Sequence, residues 1–201
     1  VVITAVARDD LRDGGAEHFK LVIEAVRAAN PGIIIEVLTP DFNDKDFALE
    51  LCMSGMPHIF NHNIETVERL TALVRSRAKY QRSLTVLKKA KAIAGGKVVT
   101  KSGLMLGLGE KEEEILQAMD DLLAHDVTVL TLGQYLRPTP RHLPVVNYIK
   151  PEKFEEYKQI ALAKGFRHVA SGPLVRSSYH AADFRPELDL IEDIEKQAAK
   201  R

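Results

Sequence analysis

The sequence predicts an α/β domain built on a parallel sheet, and three observations predict it. Short β-branched runs alternate with stretches of helical period along the whole chain. The strand-like runs are continuously apolar, as in Ile33-Ile34-Ile35 and Val127-Thr128-Val129-Leu130. Lacking the period-two alternation of a half-solvated sheet, they read as strands buried on both faces. The connections are short, which suits right-handed strand–helix–strand crossovers. Periodicity leaves an open doubly wound sheet and a partial barrel equally possible.

The elements follow in order. Val1–Val6 reads as a buried strand, and the absence of a Met or a polar lead-in before it suggests a chain shortened at its N-terminus. Phe19, Val22, Ile23 and Val26 fall at i, i+3, i+4 and i+7, one apolar helical stripe. Strands are then expected at Ile33–Leu38 and His58–His62, with Cys52 at the end of a helical segment between them. Val67, Leu70 and Val74 mark a further helix, and Leu84–Ala94 another, stopped by Gly95-Gly96. Val98–Leu106 is the longest strand candidate; Ile115, Ala118, Met119 and Leu122 repeat the helical stripe before a strand at Val127–Leu132. Phe154, Tyr157 and Ala161 define a helix with Pro151 suited to its first turn, and a weaker strand surrounds His168–Ala170. Residues 137–144 form a proline-punctuated loop fit for a lid or docking surface, and residues 186–201 read as a charged, solvated terminal helix.

Composition narrows the function classes. With 201 residues, 45% of them hydrophobic, the chain can bury one core and is not disordered. Lys plus Arg and Asp plus Glu both number 28, a balance that argues against a nucleic-acid footprint. No apolar run reaches the roughly 18 residues of a membrane span, and no secretory signal opens the chain. The single cysteine, Cys52, allows no internal disulfide, so a reducing, intracellular setting is expected, with Cys52 a small core hydrophobe.

Polar groups collect just past each strand, where parallel α/β folds bind ligands. They run Arg8-Asp9-Asp10 with Asp13-Gly14-Gly15, Thr39-Pro40-Asp41, Asn61-His62-Asn63-Ile64-Glu65, Gly107-Leu108-Gly109-Glu110, Gly133-Gln134-Tyr135, and Ser171-Gly172 before Arg176-Ser177-Ser178-Tyr179-His180. A polar ligand across one sheet mouth would use them, although strand–helix turns need the same residues for turn and cap chemistry. Isolated constellations carry less. Gly107-Leu108-Gly109 lacks the third glycine of a dinucleotide loop, Glu112 standing there instead. His58 and His62 have the spacing of a helical zinc pair but lie in a strand. Ser178 beside His180 makes no triad by adjacency.

Taken together and in order, the strand-end strings resemble lipoyl synthase, a radical S-adenosylmethionine enzyme. The matching runs are 8–11 (RDDL), 13–16 (DGGA), 36–42 (EVLTPDF), 61–66 (NHNIET), 101–110 (KSGLMLGLGE), 131–136 (TLGQYL) and 170–180 (ASGPLVRSSYH), covering nearly all of residues 1–180. The resemblance implies a partial (β/α)6 barrel of the radical SAM type lacking its first strand and N-terminal extension, with 1–180 the barrel portion and 181–201 a charged helix or tail. It implies an enzyme that places two sulfur atoms at C6 and C8 of a protein-bound octanoyl-lysine, using S-adenosylmethionine and two 4Fe-4S clusters, one of them the sulfur source. Octanoylated lipoyl domains or the glycine cleavage H protein would be the substrates, and flavodoxin or ferredoxin the electron donor. The setting would be cytoplasmic, or mitochondrial for a eukaryotic source, with neither nucleic acid nor membrane as partner.

Residue roles follow from the same resemblance. Gly103, Met105, Gly107 and Glu110 match the superfamily's Gly-x-Ile-x-Gly-x-x-Glu motif at the adenine, with Met for Ile. Asn61, Asn63 and Glu65 would face the ribose and methionine parts, and Gln134, Tyr135 and Leu136 the nucleoside. Ser177 or Ser178 would be an oxygen ligand to the auxiliary cluster, with Arg176 near cluster or substrate. The family's two cysteine triplets have no match here, and Ala5 and Ala7 stand where Ser and Asp are usual, so this chain by itself is expected to hold no complete cluster. Two other readings compete: a non-catalytic homologue binding S-adenosylmethionine or an acylated lipoyl domain, and a phosphate-metabolite barrel enzyme.

Overall fold

A computed structural model of the chain describes residues 1–75, 77–179, 184–187, 191, 192, 194, 195 and 198. In chain order the elements are β1 (Val2–Thr4), α1 (Ala16–Ala29), β2 (Glu36–Leu38), α2 (Asp46–Met53), β3 (Ile59–Asn61), α3 (Glu68–Val74), α4 (Tyr80–Ile93), β4 (Val99–Leu106), α5 (Glu112–Ala124), β5 (Val129–Gln134), α6 (Pro151–Lys164) and β6 (His168–Gly172). Every strand pairing described is parallel, with neighbours in sequence order, so the chain has the α/β fold its alternation predicts. The residues fall into two compact units, one of Val1–His62 with Thr85–Thr100 and the C-terminal segment, the other of Asn63–Leu84 with Lys101–Tyr179.

In the first unit β1, β2 and β3 run side by side, Ile3 opposite Val37 and Val37 opposite Phe60. Ile35, Val37, Ile59 and Phe60 are buried to 2% exposure or less, as are Ile23 of α1 and Ala48 and Cys52 of α2. α1 begins at Gly15, where Asp13 accepts hydrogen bonds from the amides of Gly15 and Glu17, a carboxylate at the positive end of a helix. Phe19 then meets Phe42 edge to face at 6.4 Å. The run Ile33–Ile35 does not join the ladder as a strand, which starts at Glu36. Ile33 N–H closes a turn onto Asn30 O, and Ile35 N–H donates to His58 Nδ1 at 3.1 Å, so neither amide is available to β1. β1 itself is shorter than Val1–Val6 and half exposed, because β2 is its sole neighbour in the strand order.

The tail 181–201 lies mostly outside the described residues. Within it Ile194 is 3% exposed, in a pocket with Met53, Met56, Ile93 and Val98, so an apolar anchor interrupts the expected solvated face. Glu195 stands 3.7 Å from Arg27 Nε and 3.5 Å from His58 Nε2.

In the second unit β4, β5 and β6 pair over long registers, Gly103 opposite Thr131 and Thr131 opposite Ala170. The stripes foreseen on α5 and α6 are the buried faces: Ile115, Ala118, Met119 and Leu122, then Phe154, Tyr157 and Ala161, all at 4% exposure or less. β5 is displaced two residues from Val127–Leu132, because Asp126 adopts φ +62° and Val127 N–H returns to Leu122 O to finish α5. α4 starts four residues before Leu84, with Tyr80 buried and its hydroxyl donating to Asp121 at 2.9 Å.

Candidate functional site

The candidate residues of the second unit gather around the carboxyl end of β4. Residues 63–65 lie alongside that strand: Glu65 N–H donates to Gly103 O at 3.0 Å and Met105 N–H to Glu65 O at 2.8 Å. Glu65 takes φ +66° to do so, a left-handed turn that carries a cost for a residue with a side chain. Arg75 Nη1 braces the segment from behind, donating to Asn63 O (3.1 Å), Ile64 O (3.4 Å) and Ser83 Oγ (3.2 Å). Gly103 is required here. A Cβ on it would sit 2.4 Å from Thr131 Oγ1 and 3.0 Å from Asn63 Oδ1.

Asn63 is the hub of the cluster. Its Nδ2 donates to Glu65 Oε1 at 3.1 Å and to Ser177 Oγ at 2.7 Å, which uses both N–H groups. Its Oδ1 is buried with no hydrogen-bond partner. Burial pushes the Glu65 carboxyl above its ordinary range, and the Asn63 amide and the Arg75 cation offset part of that rise. An unsatisfied buried acceptor beside a strained, desolvated carboxylate is a site that gains from a cation or a hydroxyl.

Ser177 reaches this cluster from the segment after β6. Its carbonyl accepts from Lys101 Nζ at 2.7 Å, and Lys101, in the middle of β4, is 4% exposed. Gly133 admits the segment, since a Cβ there would lie 2.2 Å from Val175 O and 3.2 Å from Arg176 Nη1. Arg176 is exposed and donates to Val175 O at 2.7 Å; Ser178 is exposed. Among the two candidate serines, Ser177 is the one the cluster holds. His180 lies outside the described residues.

The motif after β4 is an internal staple. Glu110 accepts from the amides of Gly107 and Leu108, each at 3.0 Å, while Gly107 O accepts from Val146 and Asn147 N–H. Gln134, 3% exposed, donates to Tyr135 O and Asn147 O and accepts from Ile149 N–H, and Tyr135 OH donates to Leu143 O. Gln134, Tyr135 and the Gly107 carbonyl therefore hold the loop 136–150 in place, while Glu110 fixes the turn that carries Gly107; Met105 is half-buried and Leu136 47% exposed. Asn61 belongs to the first unit. There it is fully buried, donating to Glu36 Oε1 at 2.7 Å, with its Oδ1 unpartnered.

His58 and His62 do not form a metal pair: His58 Nδ1 accepts from Ile35 N–H, and His62 Nδ1 lies 2.9 Å from Thr39 O. No group of three His, Cys, Asp or Glu among the described residues could hold a metal. Cys52 is fully buried in α2 and burial pushes its thiol up to about 12, so it stays a thiol. The acceptors Asn63 Oδ1 and Glu65 thus fit the ammonium and hydroxyls of S-adenosylmethionine, whereas among the described residues a four-iron cluster would find a serine oxygen here and no thiolate, so the residues present do not fit it. Lys101 and Arg75 are site residues that the sequence reading does not single out, whereas Gly133 stands among its strand-end groups. A lysine inside a strand bounded by apolar residues is the available signal for Lys101.

Comparison with known proteins agrees with the fold and narrows the family. Residues 1–122 match the Radical SAM superfamily. The chain is 59% identical over 181 residues to a lipoyl synthase of Oceanobacillus iheyensis, covering 90% of this chain and 57% of that protein. It is 53% identical over 199 residues to one from Halalkalibacterium halodurans (99% and 65% covered), and 52% identical over 185 residues to one from Chlorobaculum tepidum (92% and 63% covered). The chain thus spans about three-fifths of the length of the curated relatives it matches. The crystal structure of methylornithine synthase shares the fold, at a TM-score of 0.60 and 12% identity over all of this chain and 66% of that one. No helix among the described residues is long and apolar enough to cross a membrane. With its parallel strands, its glycine-rich β4 end and a family match running from residue 1 to 122, the chain belongs to the Radical SAM superfamily.

Proposed function

We propose that the chain works as part of a lipoyl synthase, inserting sulfur at C6 and C8 of an octanoyl-lysine on a lipoyl domain or the glycine cleavage H protein. The observation that carries the reading is the Asn63–Glu65–Ser177 cluster at the β4 end, in a chain more than half identical to lipoyl synthases. When bound, S-adenosylmethionine and its reducing cluster would supply radical chemistry at the substrate carbon, and an auxiliary 4Fe-4S cluster would supply sulfur. Glu65 and Asn63 Oδ1 bind the ammonium and ribose hydroxyls, and Gly103 and Gly107 let backbone approach the adenine. Gln134, Tyr135 and Glu110 act at one remove, by holding the strand-end loops against the nucleoside. Ser177 would be the oxygen ligand to the auxiliary cluster, because it is the serine that Asn63 holds, and Arg176 would offer its remaining donors to an anionic neighbour. Flavodoxin or ferredoxin would deliver electrons in the cytoplasm.

Two measurements on the cluster-loaded enzyme test this. Glu65→Ala should weaken S-adenosylmethionine binding by about 1–3 kcal/mol, the loss of a charged hydrogen-bond partner, and an unchanged Kd would refute the assignment. Ser177→Ala should lower the iron and sulfide held at the auxiliary site while Ser178→Ala leaves them near normal. The reverse pattern would move the ligand to Ser178, and full retention in both would remove the serine from the cluster altogether.

A further inference from the structure

We infer that the loop 136–150 is a docking surface for an acidic face of the protein domain that carries the substrate lysine. The inference deepens the proposed function and rests on its reading of the substrate as a lysine borne on a folded domain.

The charge of this loop is unlike that of the chain as a whole. Lys plus Arg and Asp plus Glu balance at 28 each over the full sequence, yet no Asp or Glu stands between Val127 and Pro151. Arg137, Arg141 and Lys150 fall inside that interval, and all three are exposed. Elsewhere in the second unit cations are matched: Lys153 lies 2.8 Å from Glu156, Lys164 2.6 Å from Asp120 and Arg69 2.6 Å from Glu114. Among the described residues Arg141 and Lys150 form no ion pair, and Arg137 directs its guanidinium to the loop carbonyls of Pro140 and His142. Uncompensated charge of one sign attracts a partner of the other and steers its approach.

The loop is also prepared for contact. Pro138, Pro140 and Pro144 restrict its backbone, and Tyr135 OH donates to Leu143 O at 2.9 Å. Gly107 O and Gln134 Oε1 accept from the amides of Val146 and Ile149 at 2.8 and 2.9 Å. The loop is thus ordered before any partner arrives, which lowers the entropy lost on binding. Along the same stretch it turns Val146 (56% exposed) and Tyr148 (74%) to solvent. Arginine and an aromatic ring together on a rigid surface suit a protein interface better than a site for a bare anion. Of its anchors, Gly107 follows β4 and Gln134 ends β5, so a domain seated here would present its lysine at the end of the sheet where Asn63 and Ser177 meet.

Binding of an intact octanoylated lipoyl domain, and of octanoylated H protein, to this chain tests the inference by surface plasmon resonance, with no need for turnover. The double variant Arg141→Glu with Lys150→Glu is expected to raise Kd about ten-fold or more, mostly through slower association, and about 0.5 M salt should erase the difference. Tyr148→Ala should raise Kd to a similar extent at either salt concentration. The unacylated domain should show the same losses, since the loop meets the domain and not the acyl chain. If the double variant fails to fold, Arg141→Gln with Lys150→Gln, which removes the charges without reversing them, is read by the same criterion. A wild-type Kd in the charge variant overturns the docking surface and leaves the protein-borne substrate standing. Loss in the charge variant with none in Tyr148→Ala would make the loop a general anion site and overturns the protein partner. Failure of the unaltered chain to bind either octanoylated protein overturns the substrate reading itself, and with it this inference.

Discussion

Gly107→Ala is expected to destabilise the second unit by about 3 kcal/mol and to loosen the loop 136–150, through two separate costs. The residue sits at φ +106°, outside the range an L side chain adopts without strain. A Cβ would also lie 2.3 Å from Gln134 Nε2 and 2.4 Å from Asn147 O. Neither neighbour can yield cheaply, since Asn147 O is backbone and Gln134 is held by three hydrogen bonds of its own. Gly109→Ala separates the two costs. It has nearly the same φ, +100°, but its Cβ would meet Val146 Cγ2 at an ordinary 3.6 Å, so strain alone remains, at roughly 1–2 kcal/mol. Urea unfolding of both variants, with limited proteolysis of the loop, measures the difference. Equal midpoints for the two would show that the clash with Gln134 and Asn147 contributes nothing.

The second large effect is an acid sensitivity of the first unit that traces to His58. The ring is fully buried, its Nδ1 accepts Ile35 N–H, and desolvation together with the nearby Arg27 cation pushes its pKa down to about 4. Glu195 stands 3.5 Å from Nε2, with the same carboxylate oxygen 3.7 Å from Arg27 Nε. With the folded pKa below the unfolded value of 6.5, the unfolded chain binds more protons between the two, so stability falls as pH drops from about 6.5 to about 4. At 1.36 kcal/mol per unit the loss is about 3 kcal/mol at most. His58→Asn, which keeps an acceptor for the Ile35 amide and cannot titrate, should lack this component. Unfolding free energies measured from pH 7 to pH 4 should therefore converge for the variant and wild type as pH falls. Parallel curves would mean that His58 already titrates normally in the folded chain.

The clearest part of the fold to read from residue order was whatever a segment settles with its own neighbours. The stripes of α5 and α6 are buried as their spacing requires, because a 3.6-residue period places those side chains on one face whatever lies opposite. The identity of β4 followed from apolar residues at both ends of Val98–Leu106, although Thr100, Lys101, Ser102 and Gly103 interrupt them, and Gly107 was visibly a turn position. Boundaries failed where an amide was taken by a distant partner. Ile35 left the expected strand for a ring nitrogen 23 residues away, and β5 moved because α5 reclaimed Val127.

The chemistry of the site divides along the same line. Residue order determined which residue types stand at the strand ends, and with them the family. Only the tertiary structure decided their work: Asn63 binds a serine 114 positions distant, Lys101 finds a carbonyl 76 positions away, and Gln134 and Glu110 turn from the expected ligand contacts to backbone amides and carbonyls. A side chain's hydrogen-bond partner depends on which segments converge at its tip. Convergence has no period along the chain, and it appears only when strands parallel in space bring remote loops to one end of the sheet.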